Sequence, residues 1–311
     1  MLVQVSGKEQ ERPRNDMVTS ILYPQACLWK YNCYMATKKQ IEYENQILAW
    51  RAKKYDELVR ENGWVSLAGL FWLNEGRNLV GANPMCEVVL PDRAPTFLGV
   101  VLVQGNTVRF TMAEGVRVKV NGRLAQKAIL KSSKEPKPSF ITWNDNLRLV
   151  LHEHAGKPAI RIWDNLREER FSLPPLKWFP INKDLRIAAR YKRYPDSRNV
   201  EHADTFGEMV EDRLDGYVTF KYMGNQYKLD VTESRSGALF IKFRDETSNK
   251  ESYPPSRYYY TEPVAKGGKV ILDFNYAYSP PCAFTGYATC IFAPPQNKIP
   301  FRVEAGEIYR G

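Results

Sequence analysis

Side chains that could carry chemistry are concentrated in two stretches near the C-terminal end, residues 245–257 and 273–297. Asp273 and Asn275 alternate along a predicted strand, so both are expected to face the same side. Arg257 could clamp a carboxylate or a phosphate in bidentate fashion, and a desolvated carboxylate nearby could act as a general base. The candidate catalytic residues are Asp245, Glu251, Asp273 and Cys282, and the candidate ligand-binding residues are Arg257, Asn275, Tyr278, Thr285, Tyr287 and Asn297.

Proline stiffens the backbone that carries these residues. Pro-Pro pairs occur at 174–175, 254–255, 280–281 and 294–295. Because proline fixes φ before folding, an irregular loop can be held rigid at a lower entropy cost. We therefore expect a pocket with an apolar floor and a few convergent polar groups, the usual form of a small-molecule site. The structural alternative is that Asp273 and Asn275 cap turns and that Arg257 pairs internally with an acid.

Cysteine and histidine give no clear metal or cofactor pattern. Cys282 and Cys290 are expected to pack as small apolar side chains, with a redox or disulfide pair and a catalytic thiol as alternatives. His152 and His154 share one face of a strand, but no acid is placed to complete a ligand set. The sequence has no Gly-rich phosphate loop, nucleophile elbow or dinucleotide fingerprint. We therefore predict neither a metal nor a cofactor.

The basic character of the chain invites a nucleic-acid interpretation. The net charge is +10, and residues 174–200 contain seven Lys or Arg against two Asp. Residues 201–216 contain six acids against one Arg. Neighbouring blocks of opposite sign can satisfy one another, which argues against nucleic-acid binding. Binding of an acidic polymer by residues 177–198 is a weaker alternative.

Length and composition indicate a globular protein. The 311 residues suffice for one large or two modest domains. No apolar run approaches the roughly 18 residues needed to cross a bilayer, and the N-terminus has no apolar signal region. These features predict a cytoplasmic protein without a membrane partner, whose five cysteines are thiols. Residues 1–36 are expected to be an extension, either disordered or a mis-called start ahead of Met35.

One helix and many strands are predicted. A helix is expected over 37–62, with Thr37 as N-cap, Leu48 on its apolar stripe and Gly63 as the left-handed residue after its end. After Gly63 the hydrophobic period changes to two, which indicates strands. Turn signals occur at Gly105-Asn106, Asn121-Gly122, Gly224-Asn225 and Gly267-Gly268. Short strands without intervening helices predict an all-β sandwich or barrel.

Residues 75–123 resemble the forkhead-associated (FHA) β-sandwich. The resemblance is carried by EGRNLVGANPMCEVVLP, APTFLGVVLVQGNTVRF and GVRVKVNG, in this order. In that family an Arg, a Ser and a His hold phosphothreonine. Here the corresponding positions are Ala82 and the loop 94–97, which lack those donors. The resemblance therefore implies the scaffold and argues against phosphopeptide binding.

The chain from Gly63 onward is similar to a family of uncharacterised proteins, one of the domain-of-unknown-function families. GWVSLAGLFWLNEGRN, FRDETSNKESYPPSRYYYTEP and DFNYAYSPPCAFTGYATC carry this similarity. It implies a two-part β architecture and no established activity. The predicted organisation is an extension (1–36), a helix (37–62), an FHA-like sandwich (63–172) and a C-terminal β domain with a proline-braced pocket (173–311).

The function predicted from the sequence is binding of an unidentified small molecule, with carboxylate-dependent hydrolysis or acid-base catalysis as an enzymatic form. The alternative is a non-enzymatic interaction or structural module. Whether the protein is an enzyme stays open at this point.

Overall fold

A computed structural model of the chain describes residues 38–309, and these are dominated by antiparallel β-strands. The predicted predominance of β-structure is confirmed. The extension 1–36, Thr37, Cys27 and Cys33 lie outside the described residues. Residues 38–43 form the start of a helix, and the residues from Glu44 onward belong to one compact unit. None of the helices within 38–309 has the length and apolar character that crossing a membrane requires.

The N-terminal helix α1 runs over Lys38–Val59. Ile47 and Leu58 are its buried residues, and Trp50 packs edge-on against Trp178 with ring centroids 5.6 Å apart. The predicted stripe through Leu48 is wrong, because Leu48 is 54% exposed. A shift of one residue rotates the buried face by about 100°. The face that packs carries Ile47, one position before Leu48, and Trp50, three positions after Ile47.

The end of α1 also differs from the prediction. Asn62, with φ 54°, is the left-handed residue, and Gly63 is not. A Cβ atom at Gly63 would lie 2.5 Å from the carbonyl oxygen of Leu58, so close backbone approach requires glycine there. The backbone N–H of Asn62 donates to Asn165 Oδ1 at 2.8 Å. This bond ties the end of the helix to the loop that follows the first group of strands.

The first group of strands builds two sheets. Its members are β1 (Leu67–Trp72), β2 (Gly76–Gly81), β3 (Val88–Val89), β4 (Gly99–Gln104), β5 (Thr107–Met112), β6 (Lys119–Val120), β7 (Arg123–Leu124), β8 (Lys127–Ile129), β9 (Phe140–Trp143), β10 (Leu147–His154) and β11 (Lys157–Asp164). The first sheet has the order β1-β11-β10-β9-β6-β7, and the second has the order β3-β2-β4-β5-β8. Only β2 and β3 pair in parallel within these two sheets.

The two sheets share one hydrophobic core. Phe110 from β5 and Ile160 from β11 are completely buried in the same cluster. Alternate residues of each strand supply this core, as the burial pattern BiBiBe of β4 illustrates. The predicted hairpin at Gly105-Asn106 is confirmed, since Gln104 and Thr107 face one another across it.

A short connection leads to the second group of strands. It contains the one-turn helix α2 (Glu169–Ser172), the strand β12 (Lys177–Trp178) and a 3-10 turn over Lys183–Leu185. The predicted domain boundary at 172–173 falls within this connection and stays a prediction. Tyr55 Oη of α1 donates to the carbonyl of Leu173 at 2.8 Å, which holds the helix against the connection.

The third sheet is antiparallel and has the order β17-β16-β15-β14-β13-β18. Its strands are β13 (Arg186–Ala203), β14 (Met209–Tyr222), β15 (Asn225–Glu233), β16 (Ala238–Phe243), β17 (Arg257–Pro263) and β18 (Lys269–Asp273). Tyr259 Oη accepts from the Asp273 backbone N–H at 2.8 Å and donates to the Ile271 carbonyl at 3.2 Å. Since Tyr259 lies on β17 and its partners lie on β18, the sheet curls until its two edge strands meet.

The chain then becomes irregular. Three 3-10 turns cover Phe274–Tyr276, Pro281–Ala283 and Pro295–Asn297, and the final strand β19 (Glu307–Ile308) pairs with β12. Part of this irregular segment contacts β17, where Tyr258 Oη donates to the Ile291 carbonyl at 2.7 Å, and other parts of it, including Phe274 and Val303, belong to the hydrophobic core of the third sheet. It also reaches the first sheet, where Thr289 Oγ1 lies 3.2 Å from His152 Nε2.

The basic and acidic blocks do not pair with one another as expected. Basic residues of the 174–200 block contact acids outside the acidic 201–216 block: Lys183 Nζ lies 3.6 Å from Glu44, and Arg186 Nε lies 3.4 Å from Asp273. In the acidic block, Asp204 pairs with His154. The reason is the register of the β13–β14 hairpin, which sets Glu201 opposite Glu211.

Candidate functional site

Arg257 and Asp245 form a buried ion pair at the junction of β16 and β17. Arg257 is 1% exposed, and its Nη1 lies 3.4 Å from Asp245 Oδ1. The guanidinium also donates to the carbonyls of Val303, at 2.9 Å, and Ala305. Burial lowers the pKa of Arg257, and the Asp245 carboxylate opposes that change. The pair fastens the C-terminal segment to the third sheet, and both Nη atoms of Arg257 are occupied by internal partners, whereas its buried Nε has no hydrogen-bond partner among residues 38–309.

Asp245 has no lone pair directed at solvent in this arrangement. Its Oδ2 accepts from the backbone N–H of Thr247 at 3.1 Å and of Val303 at 2.7 Å. Its Oδ1 accepts from Thr247 Oγ1 at 3.0 Å. The roles predicted for Asp245 as a base and for Arg257 as a ligand clamp are therefore not part of the function proposed below.

Asp273 and Asn275 adopt the structural alternative that the sequence left open. Asp273 caps the 3-10 turn at 274–276, where its Oδ1 accepts from the Asn275 backbone N–H at 3.2 Å. Asn275 Nδ2 donates to the Asn182 carbonyl at 2.8 Å, and Asn275 Oδ1 accepts from the Asn182 N–H at 2.8 Å. Both side chains thus brace the connection before β13.

Asn297 and Glu251 are also engaged within the fold. The buried Asn297 bonds the backbone of Asp230 through both its Oδ1 and its Nδ2, each at 2.8 Å. Glu251 Oε1 lies 2.7 Å from Arg302 Nη2 in a half-exposed pair. Neither residue lines the cavity described below.

Two further predicted ligand-binding residues lie where the irregular segment meets the first sheet. Thr285 is buried, and its Oγ1 lies 3.5 Å from the Leu67 carbonyl oxygen. Tyr287 is 36% exposed, and the Arg167 guanidinium lies 5.8 Å from its ring centroid. The predicted cluster is thus divided: its members brace several junctions instead of surrounding one hollow.

A cavity of about 420 Å³ lies beside the end of α1, between the connection and the outer face of β16 and β17. Of the predicted residues only Tyr278 lines it, and the lining residues Pro281 and Phe284 flank the predicted Cys282. Seven of its lining residues are aromatic: Trp64, Trp163, Phe240, Tyr258, Tyr260, Tyr278 and Phe284. The remaining wall is Lys54, Glu57, Leu58, Arg60, Asn62, Gly63, Leu176, Ser279, Pro281 and Glu307.

Packing among the aromatic side chains gives this wall a defined shape. The Phe240 ring stacks on Tyr260 with centroids 4.5 Å apart and meets Tyr258 edge-on at 5.0 Å. Tyr278 meets Tyr258 edge-on at 6.1 Å. Such offset and edge-to-face contacts stabilise ring positions beyond simple area burial. The strand β17 supplies Tyr258 and Tyr260, which share a face because side chains alternate along a strand.

Glu307 is the buried acid of the cavity. It is 4% exposed, and its Oε2 accepts from the Ser279 backbone N–H at 3.0 Å. Burial raises the pKa of Glu307 to about 7, while hydrogen bonds from Ser279 and the charges of Arg257 and Lys54 act in the opposite direction. At neutral pH this carboxyl can therefore both accept and release a proton.

Lys54 provides a cation at the same cavity. Its ammonium nitrogen lies 4.7 Å from the ring centroid of Tyr278 and 5.5 Å from that of Trp50. It also bonds Glu57 Oε2 at 2.9 Å. The faces of the aromatic wall therefore already hold a positive charge.

Sequence reasoning missed Glu307 and the contribution of α1. Glu307 stands in the short stretch GEIYRG, which has no spacing relation to the other candidates. It reaches the cavity because β19 pairs with β12 across more than a hundred residues, with Glu307 opposite Trp178. The one signal in the sequence is the high aromatic content, with 7 Trp and 18 Tyr.

His152 and His154 are hydrogen-bonded to neighbours that do not form a metal-binding set. His152 Nδ1 lies 3.1 Å from Ser133 Oγ, and its Nε2 lies 3.1 Å from Arg161 Nη2. Burial, with the nearby charge of Arg161, lowers the pKa of His152 to about 3. Within residues 38–309, no group of three or more His, Cys, Asp or Glu side chains is arranged to hold a metal ion.

The comparisons with known proteins cover the C-terminal part of the chain. The family described as "Protein of unknown function (DUF1684)" matches residues 172–308, which include the segment DFNYAYSPPCAFTGYATC but not the region predicted to be FHA-like. The match therefore begins later than the predicted similarity from Gly63 onward. No curated protein matches the chain.

A solved structure is also similar. An uncharacterized protein of Haloarcula marismortui, determined by solution NMR, is 31% identical in sequence. The similarity covers 45% of this chain and 80% of that chain, with a TM-score of 0.37. Residues 172–308 thus match the model of a family of proteins of unknown function, DUF1684.

Proposed function

We propose that the protein binds a small molecule in the aromatic-walled cavity, with Glu307 as its central polar group. The observation that carries the proposal is a buried carboxyl, with its pKa raised to about 7, in a hollow of about 420 Å³. Ligand pockets typically measure about 300–1,000 Å³ and combine apolar walls with a few polar groups. A titratable group perturbed by burial in such a cleft is a recognised mark of a functional site.

The wall chemistry indicates what the ligand contains. A flat or apolar body suits the faces of Phe240, Tyr258 and Tyr260. A group that donates a hydrogen bond suits Glu307, because a buried carboxylate is costly unless a donor reaches it. A smaller anionic substituent suits Lys54, whose ammonium lies at the Tyr278 face.

Acid-base catalysis is the enzymatic form of this proposal. An acid whose pKa lies near the working pH is best suited to transfer protons in both directions. Glu307 thereby replaces Asp245, Glu251 and Asp273 as the carboxylate proposed for such chemistry. The non-enzymatic alternative is a docking module, and that function is better served by a flat apolar patch than by a hollow.

A thermal-shift screen of a metabolite library tests the proposal. Ligands that stabilise the wild type should stabilise Glu307→Gln and Phe240→Ala much less, because one variant removes the ionisable group and the other removes wall area. Glu114→Gln, an exposed substitution in the β5–β6 turn, is the matched control and should respond as the wild type does. If every ligand stabilises all four proteins equally, the cavity is not the binding site.

We also propose that β1–β11 form an FHA-type scaffold that has no phosphopeptide site. Two sheets that share one core support the scaffold. The loop 94–97 lies beside Ala82, whose N–H donates to the Pro95 carbonyl at 2.9 Å. Since this place lacks the Arg, Ser and His of the FHA family, a phosphothreonine peptide should not bind. The cytoplasmic location predicted from the sequence stays a proposal.

A further inference from the structure

Cys282 and Cys290 lie together in the irregular segment after β18. Cys282 belongs to the 3-10 turn Pro281–Ala283, and its backbone N–H donates to Cys290 Sγ at 3.3 Å. Both residues are free thiols; Cys282 is partly exposed and Cys290 is 7% exposed. The seven residues between them form no helix or strand beyond the end of that turn.

The surroundings distinguish the two sulfur atoms. Hydrogen bonds from the Cys290 thiol and the Tyr253 hydroxyl lower the pKa of Cys282, although burial acts in the opposite direction. The hydrogen bond between the Cys290 thiol and Cys282 raises the pKa of Cys290, and burial of Cys290 raises it further. Redox-sensitive cysteines are typically accessible thiolates that have a second thiol beside them. Cys282 is likewise a partly exposed thiol with a second thiol beside it.

Cys86 provides the contrast within the same chain. It is 8% exposed and its Sγ has one weak contact, 4.0 Å from the Thr96 carbonyl oxygen. Burial raises its pKa. Cys86 is thus the packed, unreactive thiol with which Cys282 can be compared.

We propose that Cys282 and Cys290 form a reversible peroxide-sensitive thiol pair, in which Cys282 reacts first and Cys290 resolves the product. The Cys282 thiol releases its proton, and the thiolate attacks one oxygen of hydrogen peroxide. The O–O bond breaks, the sulfur is oxidised to a sulfenic acid, and the other oxygen leaves as hydroxide, which takes up the released proton to become water. The Cys290 sulfur then attacks the Cys282 sulfur as its own proton is lost. The S–O bond breaks and the hydroxide leaves as a second water. The net change converts two thiols and one peroxide into one disulfide and two waters.

This modification site adjoins the cavity, but the inference does not rest on the proposed function. Pro281 and Phe284 flank Cys282 in sequence and line the cavity wall. A bond between the two sulfur atoms would shorten the span of the segment that carries them. Oxidation is therefore expected to alter the cavity wall, whatever the cavity binds.

Peroxide treatment of the full chain followed by blocking, tryptic digestion and mass analysis tests the proposal. No Lys or Arg lies between Lys269 and Lys298, so one tryptic peptide, 270–298, carries both cysteines. This peptide should become lighter by two hydrogen atoms before Cys86 is modified, and a dithiol reductant should reverse the change. Cys27 and Cys33 lie in other tryptic peptides, so a disulfide between them cannot be mistaken for this one.

Single variants separate the two roles. Cys290→Ser should accumulate a sulfenic acid at Cys282 that a dimedone probe captures, whereas Cys282→Ser should leave Cys290 reduced. Cys86→Ser should behave as the wild type. In the wild type itself, which avoids any folding defect, iodoacetamide near neutral pH should label Cys282 on the order of tenfold faster than Cys86.

The proposal is overturned if peptide 270–298 still has two free thiols after Cys86 has been oxidised. It is equally overturned if Cys282 proceeds to a sulfinic acid in the wild type without a disulfide, or links to Cys27 or Cys33 in place of Cys290.

Discussion

Replacing Glu307 by glutamine should remove the part of the pH dependence of the free energy of unfolding that comes from titration of this carboxyl. In the folded chain burial raises the pKa of Glu307 from 4.5 to about 7. Below pH 4.5 the carboxyl is protonated in both the folded and the unfolded chain, so its burial costs least. Between these two values only the unfolded chain loses the proton, and the free energy of unfolding falls as the pH rises. Above about pH 7 the folded state bears the full cost of a buried charge.

The magnitude follows from the same two values. Each tenfold change in acidity corresponds to about 1.4 kcal/mol, so the full effect is about 3 kcal/mol and the part between pH 5 and pH 8 is about 2 to 3 kcal/mol. No discount for solvent screening is needed, because Glu307 is 4% exposed. Glutamine keeps the shape and can still accept from the Ser279 N–H, so it removes the titration and little else.

Reversible urea unfolding at a series of pH values from 5 to 8 measures the effect. The stability of Glu307→Gln minus that of the wild type should rise by about 2 to 3 kcal/mol across this range. The same difference for Glu114→Gln should stay flat, since that side chain is exposed. A flat difference for Glu307→Gln as well would refute the assignment of the titrating acid to position 307.

Two further predictions concern other buried ionisable side chains. Asp245→Ala leaves the Arg257 guanidinium buried without its carboxylate, and should lower the free energy of unfolding by about 3 to 5 kcal/mol in the same urea assay. The control Asp196→Ala changes an exposed side chain and should lower the free energy of unfolding only slightly. A loss below about 1 kcal/mol for Asp245→Ala would contradict a structural role for the pair. His152, with a pKa of about 3, should stay neutral above pH 5, so its ring signals in NMR should not shift between pH 5 and pH 8; a midpoint near 6.5 would contradict its burial against Arg161.

Local signals were enough to predict much of the fold. Strands such as β4 and β5 alternate apolar and polar residues, and the Gly105-Asn106 turn between them allows only antiparallel pairing of close neighbours. The proline-stiffened segment at 273–297 was also recognised as irregular. The face of α1 was wrong by one residue, because aliphatic spacing favoured Leu48, whereas its neighbour Ile47 is buried and Trp50, three positions after Ile47, makes the aromatic contact.

The candidate site was predicted only in part. Tyr278 lies in the cavity wall, and the predicted turn-capping alternative for Asp273 and Asn275 describes their contacts. Arg257 looks in sequence like an available cation, yet the carbonyls of Val303 and Ala305 take its donors. Those carbonyls lie more than forty residues away along the chain. Spacing along the sequence contains no information on such a contact.

The amino-acid order alone therefore determined the β-rich class, the tight hairpins and the irregular C-terminal segment, since each depends on neighbours within a few positions. Only the tertiary structure decided which ionisable groups are enclosed and which of these keep an unusual pKa. Glu307 becomes the cavity acid because β19 pairs with β12 and brings it under α1 and the aromatic face of the third sheet. Desolvation depends on everything that surrounds a group in space, and those surroundings come from distant parts of the chain.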